Sequence, residues 1–421
     1  MKRILVLISV IFTVSIIFSS VSFAASGSNK SGGEKIKNSC LSCHTENENL
    51  PEDFKKYDIH LSVGLTCADC HGGDPTSDDD AVAMSRKKGF IGVPAKKDIP
   101  KLCGKCHSDI KFMRKYNPRM ETDQVSQYYT SVHGVQLRKG NKDVATCTDC
   151  HTAHAILPPS DPRSTVYATN VPQTCNKCHG NKKLAKKYGL DPDVYNNYKV
   201  SVHGVDLLEK KDTGAPACND CHGNHGAVPP GVKSIDLVCG ECHVNNMNFF
   251  INSKMGKAWQ ELGYHGCVEC HGNHKIVKPN DDYIGTSDNS FCSKCHDEGD
   301  DGYNVARSIH THLTQLDTLI KQANEKLLMV RQFGMDDLDI TYSIKEAHQS
   351  IVQSRTEIHT FDSTKVIAKL KPGIEAARKA IKLANSEIDE YAFRRNGYAA
   401  ATLIFLVFIV LFYLKIRKKT K

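Results

Sequence analysis

Ser201-Val202-His203-Gly204-Val205, then Cys218-Asn219-Asp220-Cys221-His222-Gly223-Asn224-His225, contains the pattern around which most of the chain is built. Its centre, Cys-x-x-Cys-His, occurs nine times: Cys40, Cys43 and His44; Cys67, Cys70 and His71; Cys103, Cys106 and His107; Cys147, Cys150 and His151; Cys175, Cys178 and His179; Cys218, Cys221 and His222; Cys239, Cys242 and His243; Cys267, Cys270 and His271; Cys292, Cys295 and His296. These motifs consume all 18 cysteines. A disulfide scaffold or a zinc ribbon would use paired cysteines, but neither needs a histidine directly after the second one. Covalent haem does: the two thiols become thioethers on the porphyrin and the adjacent imidazole reaches the iron. The expectation is nine haem c groups, each pair of motif cysteines holding one and each motif histidine a proximal iron ligand.

Working outward, Ser131-Val132-His133-Gly134-Val135 before Cys147 repeats the segment before Cys218. In both units the first motif is extended to C-x-x-C-H-x-x-H, by His154 and His225, and a plain motif follows. A related unit begins at His265 and is extended by His274; a more divergent one runs from His60 to Cys103. Gly, Pro, Asn and Asp crowd the intervals, so the haems rather than a long apolar core are expected to organise residues 34–300.

Of 20 histidines, 11 lie outside the motifs. Eight recur in equivalent settings and are the expected distal ligands: His60, His133, His154, His203, His225, His265, His274 and His310. For the ninth iron His348 flanks a heptad seam and outranks His359, which points away from it; His312 competes with His310.

After Asp301 the cysteines stop and three heptad seams appear: Ile309 to Val330, Ile344 to Phe361, and Ile374 to Tyr391. Breaks fall at Gly334, at Asp362-Ser363 and at Pro372-Gly373, the last kinking or starting a helix. This predicts an antiparallel three-helix stalk over 301–396. Residues 398–414 carry no charge and are followed by Lys415, Arg417, Lys418, Lys419 and Lys421, the pattern of a membrane-spanning helix with its basic tail, 415–421, on the cytoplasmic side. Residues 1–24 read as a signal peptide, with Lys2 and Arg3, an apolar run and a Ser22-Phe23-Ala24 cleavage site. The haem domain is thus expected on the periplasmic face of the cytoplasmic membrane. The two ends account for seven of the eight net positive charges, which removes the case for nucleic-acid binding.

The Cys-x-x-Cys-His repeats, Ser-Val-His-Gly segments and Cys-His-Gly-Asn-His motif resemble the multihaem cytochromes c of anaerobically respiring bacteria, the cytochrome c3/c7-like and octahaem groupings, over about residues 36–312. The resemblance implies low-potential, bis-histidine haems forming an electron wire. The chain departs from the NapC/NirT quinol dehydrogenases, whose anchor is N-terminal and whose haem set is smaller. Its span holds no histidine for a b-type haem. A separate membrane b-type cytochrome or other quinol-oxidising subunit is expected as donor, and a soluble periplasmic cytochrome or terminal reductase as acceptor. The alternative is a haem reductase of the nitrite or hydroxylamine type with one open iron.

Overall fold

In a computed structural model the described residues are 38–47, 50, 53–228 and 235–420. The signal-peptide expectation, residues 1–24, and the last residue of the basic tail, Lys421, lie outside them. The described residues are mostly helical and contain no strand. Compactness divides the chain into residues 1–52 with 60–94, and residues 53–59 with 95–421; Asp301 is not a boundary between compact units.

In the first unit, helix Ser39–Glu46 carries Cys40 and Cys43 and is tied through the Ser39 amide and hydroxyl to the Pro75 carbonyl at 2.9 and 2.8 Å. Helix Cys67–His71 is held by Asp69, whose carboxylate accepts from the Thr66 amide at 2.6 Å.

The second unit begins with a four-part pattern used three times. A helix ending in a plain motif comes first: Ile99–His107, Val171–His179 or Ile235–Cys242. Pro100 and Pro172 start two of these, where the missing amide costs nothing. Next come Gln124–Thr130, Val194–Lys199 or Val244–Asn252, and then Val132–Arg138, Val202–Leu208 or Lys254–Leu262. The extended motif closes the pattern as its own five-residue helix: Cys147–His151, Cys218–His222 or Cys267–His271. A helix this short does not persist alone. Asp149 and Asp220 each accept the amide that precedes their helix, at 2.7 Å. The haem region is thus a succession of short helices, as expected of a part organised by haems rather than by a long apolar core.

Three long helices follow: Asp301–Gln332, Leu338–Glu357 and Ser363–Lys419. They share two buried clusters, one around Leu313, Leu316, Ile351 and Leu370 and one around Ala323, Val330, Ile340 and Ala384. Gly334 leaves the first helix at φ 66° and Asp362 caps the third through the Thr364 amide at 2.9 Å. Pro372 neither starts nor stops a helix; it lies inside the third. The Ser350 hydroxyl, from the neighbouring helix, bonds the Lys369 carbonyl and accepts from the Gly373 amide at 3.1 Å, filling the gap in the helical ladder beside the proline. A Cβ on Gly373 would lie 2.5 Å from Ser350 Cβ and 2.9 Å from a Leu316 methyl, so the helices pack closely here. Ser350→Ala should lower unfolding stability by about 1–3 kcal/mol, because it leaves both backbone groups buried and unpaired; chemical denaturation of the mature protein measures it, and an unchanged midpoint would contradict the repair.

The third helix runs without interruption through Arg394 and Arg395 into the apolar segment, whose mean hydropathy reaches 2.5 with none of it buried. Such a helix is long and apolar enough to cross a bilayer.

Candidate haem-ligand array

The repeats place histidines in facing pairs. His133 faces His179 with ring centres 6.2 Å apart, His225 faces His151 at 6.1 Å, His203 faces His243 at 6.2 Å, His274 faces His222 at 5.9 Å and His359 faces His271 at 6.3 Å. Every pair joins one motif histidine to one histidine from outside a motif. Two metal–imidazole bonds of about 2 Å in line, with about 1 Å from each nitrogen to its ring centre, span about 6 Å. The residues present therefore fit an iron held between the two rings of each pair.

Local structure explains how each ring arrives. Ser131 ends one helix and begins the next, and Ser201 begins its helix one residue after Val200 closes the preceding one. The Ser201 hydroxyl donates to the Tyr198 carbonyl at 2.6 Å and accepts from the Gly204 amide at 3.0 Å; Ser131 does the same with Tyr128 and Gly134 at 2.5 and 2.9 Å. A Cβ on Gly134 or Gly204 would collide with those same carbonyls. Ser-x-His-Gly is thus a tight helix junction with the histidine on its first turn.

The extended histidines serve the preceding repeat. After the motif histidine the chain turns through left-handed Thr152 (φ 70°), Gly223 (φ 86°) or Gly272 (φ 71°). The carbonyl two residues past the extended histidine then accepts from the junction helix of the repeat before: Val132 to Ala227 at 3.1 Å and Val202 to Ile276 at 2.8 Å. The Ile59 amide bonds Ile156 in the same way at 2.9 Å. His225 consequently faces His151, and His274 faces His222, rather than the histidine of its own motif.

Burial, the largest effect, together with repulsion from His225 and His107, pushes His151 down to about 4. Burial likewise lowers His133, His179, His203, His225, His271, His274 and His359. A neutral imidazole keeps the lone pair that iron needs. Several rings are also fixed by contacts at Nδ1, which leave Nε2 for a metal: His71 to the Gly92 carbonyl at 2.9 Å, His222 to Val228 at 3.2 Å and His359 to Thr356 at 3.0 Å.

The motifs adjoin one another in chain order. The Cys147 thiol hydrogen-bonds Cys103, and Cys175 hydrogen-bonds Cys218. Cys150 lies beside Cys175 and Cys178, Cys221 beside Cys239 and Cys242, and Cys270 beside Cys292 and Cys295. His243 and His271 are near neighbours as well. The attachment sites from Cys103 to Cys295 form a continuous file within the second unit.

The remaining expected ligands stand elsewhere. His154 packs edge-on against Phe54 at 5.4 Å. His60 lies on the short helix Ile59–Ser62. The buried Nδ1 of His265 has no protein partner. His310 directs Nε2 to Asp282 at 3.6 Å, and His312 bonds the Ser308 carbonyl at 2.8 Å. His348 is exposed on its helix. The ring opposite His271 is that of His359, because the second long helix gives way to a 3-10 turn, Ile358–Thr360, and to left-handed Phe361 at φ 49°. Phe361 packs on Phe250 at 6.2 Å. It lies two residues past His359, as Ala227 does past His225, so this turn takes the place of a further extended motif.

A family model described as Cytochrome c3 matches residues 59–180, and one described as Cytochrome c554 and c-prime matches residues 19–72. The multiheme cytochrome MtrA of Shewanella baltica (strain OS185) is 24% identical over 234 residues, covering 46% of this chain and 68% of that protein. No solved structure matches the chain. With nine attachment motifs in its sequence, histidines paired at the span of an iron, and family models of this kind matching residues 19–180, the chain is a multihaem c-type cytochrome, and its function is electron transfer.

Proposed function

We propose that this chain is a nine-haem relay, anchored in the cytoplasmic membrane by residues 398–414, with its haem domain on the periplasmic side. The supporting observation is that facing histidines link successive repeats while the attachment cysteines run side by side in chain order. Haem c supplies the one-electron iron couple. The chain's own residues bury most of the paired rings, bring each motif ring opposite one from another part of the chain and set the order of the file. The three long helices act as a stalk, and Arg355 joins it to the haem region through two 2.9 Å bonds to Asp281.

From Asp362, beside the haem region, to Tyr398 the third helix rises about 50 Å at 1.5 Å per residue. Arg394, Arg395 and the residues around them carry no haem motif. A quinol-oxidising partner, of the b-type cytochrome kind, must therefore carry electrons up to the file; a soluble periplasmic cytochrome or terminal reductase takes them off.

Cutting the chain before Tyr398 should release a soluble protein with all nine haems by mass, and a truncated form that stays with membranes without any partner would contradict the anchor. The truncated protein, reduced and given nitrite or hydroxylamine, should show no turnover above free haem; substantial turnover would replace the relay with a reductase. His359→Ala should convert the haem on Cys267 and Cys270 to high spin, whereas His348→Ala should leave the spin state of every haem unchanged. Equal spectra for the two variants would remove His359 from the ligand set.

A further inference from the structure

The third repeat carries methionine where the first two carry a ligand histidine. Ser253-Lys254-Met255-Gly256 forms the same helix junction as Ser131-Val132-His133-Gly134 and Ser201-Val202-His203-Gly204. Ser253 ends one helix and caps the next at φ −74°, ψ 160°, against −65°, 160° for Ser131 and −73°, 162° for Ser201. Its hydroxyl donates to the Phe250 carbonyl at 2.7 Å and accepts from the Gly256 amide at 2.8 Å. A Cβ on Gly256 would collide with the Phe250 carbonyl, as one on Gly134 or Gly204 would with Tyr128 or Tyr198. Met255 thus stands at the register of His133 and His203, half-buried.

That register has a fixed target. His133 and His203 each skip the next motif and face the histidine of the one after, His179 and His243. The motif after next from Met255 is Cys292, Cys295 and His296, at nearly the same interval along the chain. The file of thiols keeps the relation, since Cys270 adjoins Cys292 and Cys295 as Cys150 adjoins Cys175 and Cys178. Asp300 holds Nδ1 of His296 at 3.2 Å, leaving Nε2 for a metal. His265 does not share the register: two residues before its motif, it occupies the place of Ala145 and Pro216, whose carbonyls accept from Tyr128 and Tyr198 at 2.8 Å.

We propose that Met255 is the distal ligand of the haem on Cys292 and Cys295, making it a His/Met site at the end of a bis-histidine file. The proposal rests on the haem-array reading above. A thioether favours ferrous iron relative to imidazole, so this haem has the highest potential of the file and is where a single electron comes to rest.

The test uses the mature full-length protein. Oxidised wild type should show the weak far-red sulfur-to-iron charge-transfer band, with an intensity of one haem, and redox titration should resolve one component above the others. Met255→Ala should abolish the band and leave one haem high spin; Met255→His should abolish it while keeping all iron low spin and bringing the highest component down among the rest. A full haem complement without the band, or a band that survives Met255→His, overturns the methionine assignment and leaves the array standing. Haem missing from Cys292 and Cys295 overturns both.

Discussion

His225→Ala should turn the haem on Cys147 and Cys150 from low to high spin, and leave the haem on Cys218 and Cys221, the motif His225 itself extends, unchanged. The ring of His225 faces His151 at 6.1 Å, and the chain beyond it is pinned to the previous repeat by the Val132–Ala227 bond. About one-ninth of the iron should change spin, because one of two axial ligands is lost at one site. Haem content should not change, since the thioethers come from cysteines the substitution does not touch. Magnetic spectroscopy gives the fraction, and added imidazole should restore low spin by entering the cavity left behind. A wild-type spectrum in the variant would remove His225 from the ligand set.

Gly204→Ala should cost about 3 kcal/mol or more and release His203 from the haem on Cys239 and Cys242. The added methyl group collides with the Tyr198 carbonyl, a backbone atom in a junction where Ser201 is buried and Leu207 wholly so. The comparison is Ser201→Ala, which removes a cap but adds no atoms and should cost about 1 kcal/mol. Thermal unfolding ranks the two. Equal costs would mean that the junction is held by its hydrogen bonds alone and that glycine is not required there.

These expectations separate what was legible in the sequence from what was not. The motifs announce themselves because haem attachment needs those residues at that spacing. The seam residues from Ile309 to Val330 are buried because a long regular helix obeys its period. The pairing of rings was hidden for the opposite reason. Helix Cys218–His222 is five residues long and ends at left-handed Gly223, so nothing periodic carries the direction of His225. A continued heptad puts His348 beside the buried stripe and His359 away from it; the helix stops at Glu357 and the next turn rotates His359 inward. Met255 had no visible repeat context because the shared signal is the serine and glycine around it, and these matter only once the carbonyl beneath the glycine is seen. Pro372 signalled a break that Ser350, twenty-odd residues earlier, repairs.

In the proposed relay the haems follow one another in chain order, and each repeat completes the iron sites of its neighbour. A haem-resolved electron cryomicroscopy map of the mature protein tests it most directly. The account predicts an unbroken file from the haem on Cys103 to the haem on Cys292, with His225 on the iron above His151 and His274 on the iron above His222. A map with His225 on the iron above His222, or with the Cys175 haem remote from the Cys147 haem, would contradict it.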